Sequence, residues 1–278
     1  NGGFVPSASR GNSSLLPESK NELEIDAALR FFENRVSFSG TCFPTRTVVV
    51  LLAFPVGNSR GDRQAYTNGA EIENVGYQLD LGIQLIERKD FSWDITAIFT
   101  QVENTVVDLR GVESIELGGL AAVNSRAVEG QPLGVLWGSR SLRDENGNVV
   151  FNEFGFPVQD EVEGIIGDPN PDWQGSIVTG IRYKNFRLTA LFETFQGADI
   201  FAGTKAVLAD LGRWESTGEE VTATRNLQDA NGNILKIGET FRGNVFDFGA
   251  GPVALTDSGY NGDGGFFYNG DDELYFED

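Results

Sequence analysis

From Ile177 to Phe195 the apolar residues hold one parity and then switch to the other. Ile177, Ile181 and Tyr183 are odd, whereas Phe186, Leu188, Ala190 and Phe192 are even. Successive side chains of a strand point to opposite faces, and residues paired across a two-residue turn share a face. A switch at Lys184-Asn185 therefore predicts a β-hairpin, because one continuous strand would keep its parity. Upstream, Leu23, Ile25, Ala27, Leu29 and Phe31 alternate with Glu22, Glu24, Asp26 and Arg30, and past Glu33-Asn34 the apolar set moves to Val36 and Phe38. Tyr77, Leu79, Leu81, Ile83 and Leu85 mark a further strand, and Phe91, Trp93, Ile95, Ala97 and Phe99 one more. Parity is kept between these last two, which predicts an odd-length turn at Glu87-Arg88-Lys89.

Six long strands result, near 22–32, 35–54, 75–86, 91–102, 176–184 and 186–196, arranged as three hairpins. Long polar connections rich in Gly, Asn and Asp separate them, near 57–74, 103–174 and 197–278. Connections in compact soluble domains run to about 4–6 residues, so strict alternation of tight turns with long loops points elsewhere. It is the habit of outer-membrane barrels, whose short turns face the periplasm and whose long loops face outward. The strand chemistry agrees, with one apolar face for lipid and one polar face for a wet lumen. About 9–11 tilted residues cross a bilayer, which these strands supply. Phe31 and Phe32, Phe91 and Trp93, and Tyr183 and Phe186 all lie beside tight turns, as an interfacial aromatic girdle requires.

The fold class expected is thus all-β: an antiparallel transmembrane β-barrel segment with long extracellular loops. Six strands cannot close a membrane barrel, and an open edge in lipid leaves backbone groups unpaired, so the segment is expected to form part of a larger wall. Residues 1–278 are read as one partial barrel domain, with 197–278 a long extracellular loop. Within that loop, Phe201, Val207, Leu208, Leu211 and Trp214 have near-helical spacing and predict a short helix between Ile200 and Trp214. Gly259 to Asp278 is rich in Gly, Asp and aromatic residues and is expected to end without a strand.

Composition narrows the function. The 41 acids against 21 bases give a formal charge of −20, which opposes nucleic-acid binding. A single cysteine, Cys42, excludes internal disulfides and thiolate metal clusters, and the absence of histidine removes imidazole catalysis. No apolar run approaches a membrane helix; the longest, Val48 to Phe54, is strand-length. The chain begins at Asn1 without a basic-apolar-small leader, so it is read as processed or internal.

Several stretches, in order, resemble the C-terminal part of the barrel of SusC/RagA-like TonB-dependent outer-membrane transporters. They are Asn68-Gly-Ala-Glu-Ile-Glu-Asn-Val-Gly76, Gly130-Gln-Pro-Leu-Gly134, Arg143-Asp-Glu-Asn-Gly-Asn148, Gly167-Asp-Pro-Asn-Pro-Asp-Trp173, and Tyr183-Lys-Asn-Phe186 followed by Gln196-Gly-Ala-Asp-Ile200. Pro44 and Cys42 depart from the pattern and are expected to interrupt the second strand. The resemblance implies a Gram-negative outer-membrane location, a barrel of 22 strands around a plug, energy through TonB, and a SusD-like surface lipoprotein lid. It also implies oligosaccharide or peptide as cargo.

Candidate chemistry is sparse, and no catalytic residue is expected. Asp144, Asn146 and Asn148 with Glu153, and Asp229, Asn231 and Asn233, resemble the start of a calcium loop, but the glycine and the bidentate acid are misplaced. Tight Asn-Gly turns explain them as well, so no cofactor is expected beyond weak calcium binding by acidic loops. A carboxylate pair for glycoside hydrolysis is open on composition. Against it, Glu22, Glu24, Asp26, Asp80 and Asp94 lie opposite an apolar stripe, which suits lumen lining. Trp137, Trp173 and Trp214 lie in or beside long loops. Trp137 and Trp214 are the candidate ligand-stacking residues, with loop packing as the competing role. A secreted soluble glycan-binding module or carboxylate-dependent glycoside hydrolase is the alternative, and a passive porin a third reading.

Overall fold

The computed structural model describes residues 9–56, 64–120, 123–211, 213–256 and 276–277. Strands β1 (Ser9–Arg10), β2 (Ser19–Glu22), β3 (Ile25–Phe31), β4 (Val36–Pro55), β5 (Gln64–Arg88) and β6 (Phe91–Asp108) come first. The excursion after β6 holds β7 (Ser114–Leu120), β8 (Val123–Val128), β9 (Val135–Gly138) and β10 (Gly164–Gly167). Then follow β11 (Trp173–Tyr183), β12 (Phe186–Gln196), β13 (Ile200–Phe201), α1 (Gly203–Asp210) and α2 (Glu215–Gly218). Last are β14 (Glu220–Thr222), β15 (Leu227–Gln228), β16 (Ile234–Leu235), β17 (Thr240–Asp247), β18 (Pro252–Thr256) and β19 (Phe276–Glu277).

The long strands form one antiparallel sheet in the order β12-β11-β6-β5-β4-β2, with β3 also on β4. This is the expected meander of three hairpins, each strand beside its neighbour in sequence. Tyr183 pairs with Phe186 across Lys184-Asn185, as the parity switch requires. Phe31 pairs with Val36 across a four-residue turn in which Phe32, Glu33 and Asn34 all have positive φ.

The turn expected at Glu87-Arg88-Lys89 is instead the two-residue Lys89-Asp90, since Arg88 pairs with Phe91. Parity survives because a bulge lies between Gln84 and Ile86, adding one residue to β5. The second strand is not interrupted at Cys42 and Pro44; β4 runs through both, pairing them with Tyr77 and Val75. The break appears in the neighbouring strand. Leu23 and Glu24, which separate β2 from β3, lie where the register faces Pro44 and Phe43. Proline has no N–H to complete the ladder on that side.

Both polar connections flanking the second hairpin are shorter than expected, because β5 begins at Gln64 and β6 continues to Asp108. Along these extensions Ala70, Ile72 and Val106 are buried, and Val106 is fully so. They join Val50, Phe54, Leu109, Ile115 and Ala127 in an apolar core. Ile115 and Ala127 belong to the four-stranded sheet β10-β9-β8-β7, so the excursion after β6 folds back and covers one face of the extended strand ends. Ile72 and Val106 share parity with Asp80 and Thr100, which places this cap on the polar face of the wall.

The expected short helix is α1, at Gly203–Asp210. The segment beyond it carries its own small core of Ala223, Leu227, Phe241 and Ala254 beneath short strands. Most of Gly259 to Asp278 lies outside the described residues. Phe276–Glu277 is a two-residue strand paired with Ile200–Phe201, where no strand was expected.

Candidate functional site: a wet inner wall beneath a loop cap

Cross-strand register assembles the outer face of the wall into a continuous apolar band. One row joins Leu29, Phe38, Leu81, Ala97, Ile177 and Phe192, and the rows beside it add Leu79, Phe99, Ile83, Ile95, Ile181 and Leu188. Among the described residues no second layer covers these side chains: Leu79 is 43% exposed, Leu81 38% and Leu188 64%. Soluble proteins do not leave such a surface to water, and a bilayer covers it.

Band height fits a membrane. β11 has 11 residues, a rise of about 33 Å along the strand, which becomes about 25 Å at a barrel tilt of about 40°. Aromatic residues close both ends. Tyr183, Phe186, Phe91 and Trp93 mark the turn end. At the other end Trp173 stacks on Phe99 with ring centroids 5.9 Å apart. Trp93 donates its indole N–H to Thr179 Oγ1 at 3.0 Å, so neither polar group is left bare toward lipid. Above the band the outer face turns charged, with Arg46 paired to Glu71 and, at 3.1 Å, to Glu73.

The inner face carries Asp26, Ser39, Thr41, Gln78, Asp80, Asp94, Thr96, Thr100 and Arg182. Thr41 donates to Asp26 at 2.6 Å, and Gln78 and Ser39 both donate to Asp80, at 3.3 and 3.4 Å. Arg182 approaches Glu87 at 3.9 Å. Gly76 is required on this face: a Cβ there would stand 2.1 Å from the Phe43 ring. The strand carboxylates are thus spread along a hydrogen-bonded polar wall.

At the top of the wall, residues from four of the sequence motifs meet. Leu133 donates its N–H to Asn104 Oδ1 at 2.6 Å, and its carbonyl accepts from Asn170 Nδ2 at 3.1 Å. Asn104 in turn donates to Asn74 at 2.7 Å, and Asn74 to Thr45 at 3.1 Å. Asn170 is held by Asp168, whose own N–H donates to Asp199 at 2.7 Å. Sequence reading singled out the motifs without showing this junction, because each contributes only one or two of its members.

The candidate loop tryptophans sit in separate elements. Trp137 lies in β9, with the Arg126 guanidinium 4.6 Å above its ring. Trp214 caps α2, its carbonyl accepting from the Thr217 hydroxyl at 2.7 Å. Asp144 Oδ1 accepts the N–H groups of Asn146 and Asn148, at 2.8 and 2.9 Å, and Asp229 Oδ1 those of Asn231 and Asn233, at 3.0 and 2.8 Å. Gly147 and Gly232 take the positive φ these turns need. The Asn148 hydrogen bonds hold the Asp144 carboxyl below its usual range. Among the described residues no group of three or more acids, Cys or His converges as a metal cage.

An apolar outer band, a polar inner face and sequential hairpins with long loops on one side define the wall of a transmembrane β-barrel. No family model matches the chain. TonB-dependent receptor P3 of Formosa agariphila is 24% identical over 236 residues, covering 76% of this chain and 24% of the relative. TonB-dependent receptor P26 of the same organism is 23% identical over 218 residues, covering 68% and 21%. The fold is similar to solved structures of the RagAB peptide importer in its open-open state (TM-score 0.60, 16% identity, 88% of this chain and 27% of that one) and of the RagAB peptide transporter (0.57, 19%, 70% and 23%). In sequence the chain is thus similar to part of TonB-dependent receptors, and in fold to part of the RagAB barrel. It spans about a quarter of the length of the curated relatives it matches.

Proposed function

We propose that this stretch of wall serves an outer-membrane nutrient importer of a Gram-negative cell. Its outer face seals against lipid, its inner face lines the wet passage, and its loops meet cargo at the cell surface. Energy reaches the protein through TonB, which contacts a part of the receptor other than these strands. A SusD-like surface lipoprotein closes over the loops, and the cargo is an oligosaccharide or a peptide. The receptor names of the relatives support the TonB link, and the importer named in the solved structures supports a peptide cargo. Trp137 and Trp214 are the loop aromatics assigned to cargo contact.

The observation that carries this reading is the unbroken apolar band over six strands with a polar reverse face. Cys42, the chain's single cysteine, tests it directly, since register places it on the band between Ile25 and Tyr77. In outer membranes holding the full receptor, a charged maleimide is expected to leave Cys42 unmodified while an apolar maleimide reacts. Ser39→Cys, in a Cys42→Ser background, is expected to react with the charged reagent. Rapid labelling of Cys42 by the charged reagent, or a monomeric folded protein in buffer without detergent, sinks the importer and favours a soluble glycan-binding module.

A further inference from the structure

The excursion after β6 is attached to the wall by more than a shared apolar core. Gly130 donates its N–H to the Val106 carbonyl at 2.8 Å, and Val106 donates to the Gln131 carbonyl at 2.9 Å. Residues 130–131 thereby extend the ladder of β6. One residue beyond Pro132, the Leu133 peptide is gripped at both ends by the side-chain amides of Asn104 and Asn170. Gly134 then donates to the Arg126 carbonyl at 3.0 Å, carrying the path into β8. Beneath lie Ile72, Val106, Leu109, Ile115 and Ala127, all buried in one apolar cluster. The turn at 144–148 is held by local bonds, within itself and from the neighbouring Arg143, which donates to the Gly147 carbonyl at 3.2 Å.

We propose that Asn104 and Asn170 are positioning residues that seat the sheet of β7, β8, β9 and β10 as a fixed cap on the inner wall. The passage beside the cap then has a rigid border, and any opening for cargo belongs to other loops. This deepens the transport reading, and rests on it only in treating the inner face as a passage. A peptide gripped at both its N–H and its carbonyl cannot move without breaking two hydrogen bonds and uncovering the core.

Amide hydrogen exchange of the full receptor in detergent tests the cap without any transport assay. The amides of Gln131, Leu133 and Gly134 are expected to exchange at least about 100-fold more slowly than those of Glu145 to Gly147. The pair Asn104→Ala and Asn170→Ala is expected to accelerate the first set by about 10-fold or more, with residues 77–83 unchanged. Asn104→Asp keeps the acceptor for Leu133 and is expected to retain the protection. Fast exchange at Leu133 in the unaltered protein, or exchange indifferent to the two alanines, overturns the proposal. Should the double variant not fold, Leu133 in the unaltered protein and in Asn104→Asp decides alone. Failure of the Cys42 labelling test removes the membrane reading and leaves these exchange results standing.

Discussion

Leu23 donates its N–H to the carbonyl of Pro44 at 3.1 Å, and Pro44 has no N–H to return. The ladder between the first two long strands therefore lacks one rung, and β2 and β3 part at that point. Pro44→Thr supplies the missing donor. Its hydrogen bond contributes about 1 kcal/mol, offset by the wider freedom of threonine in the unfolded chain, also about 0.4–1 kcal/mol. Global stability is thus expected to change by less than about 1 kcal/mol, while amide exchange around Leu23 and Ile25 slows. Unchanged exchange there means that proline is not the cause of the break.

Leu79 and Gln78 are adjacent in sequence and face opposite solvents. An arginine on the lipid face near the bilayer midplane of a barrel costs about 2–4 kcal/mol, whereas an inner-face arginine stays hydrated. Leu79→Arg is therefore expected to lower folding stability in lipid by an amount in that range. Gln78→Arg, beside Asp80, is expected to change it by less than about 1 kcal/mol. Urea titration in bilayers, followed by tryptophan fluorescence, measures both. Equal losses at the two positions contradict the assignment of faces.

The membrane-spanning part of this architecture is legible in the sequence because each of its strands has one lipid face and one wet face. Parity located the Tyr183–Phe186 hairpin to the residue. Where the cap covers the inner face, the rule loses its signal. Ala70, Ile72 and Val106 are buried there among Asn68, Gly69 and Thr105, and the sequence from Gln64 to Asn74 looks like a polar connection. The bulge beside Leu85 is hidden for the opposite reason, since Leu85 continues the apolar alternation that the backbone has already broken. The Leu133 junction is not legible from the sequence. It unites residues 29 and 37 positions away through single asparagine side chains, whose local spacing carries no period.

Trp137 and Trp214 differ in what already occupies them. Arg126 stands over one face of Trp137, leaving it less surface for a flat ligand. Trp214 has its carbonyl engaged by Thr217, and no ring or cation contact with it is among those found in the described residues. An aromatic stacking contact is worth about 0.5–1.5 kcal/mol, so Trp214→Ala is expected to weaken cargo binding by roughly 2- to 12-fold. Trp137→Ala is expected to weaken it less and to loosen β8 and β9. Calorimetric titration of cargo into the cargo-free receptor, paired with exchange in β9, separates the two effects. Unaltered affinity in both variants removes them from the cargo surface.

Asp144 and Asn152 build the same turn with different charge. Asp144 Oδ1 receives two backbone N–H groups, from Asn146 and Asn148, and Asn152 Oδ1 receives those of Phe154 and Phe156. The turn thus needs an acceptor, and the negative charge strengthens it, which is why the Asn148 hydrogen bonds lower the Asp144 pKa. A lowered carboxyl pKa contributes stability that is fully present above the unfolded value of about 3.9 and is lost as pH falls through the folded one. Asp144→Asn is therefore expected to be slightly less stable than the unaltered protein at neutral pH, the difference disappearing as pH falls through the lowered carboxyl pKa. Asp144→Ala, which removes the acceptor, is expected to be the less stable at every pH. Because both turn carboxylates accept N–H groups, a cation at Asp144 or Asp229 would compete with those donors, and equilibrium dialysis is expected to show no calcium taken up at either. Calcium-dependent protection of Asn148 or Asn233 from exchange would instead make these loops cation sites.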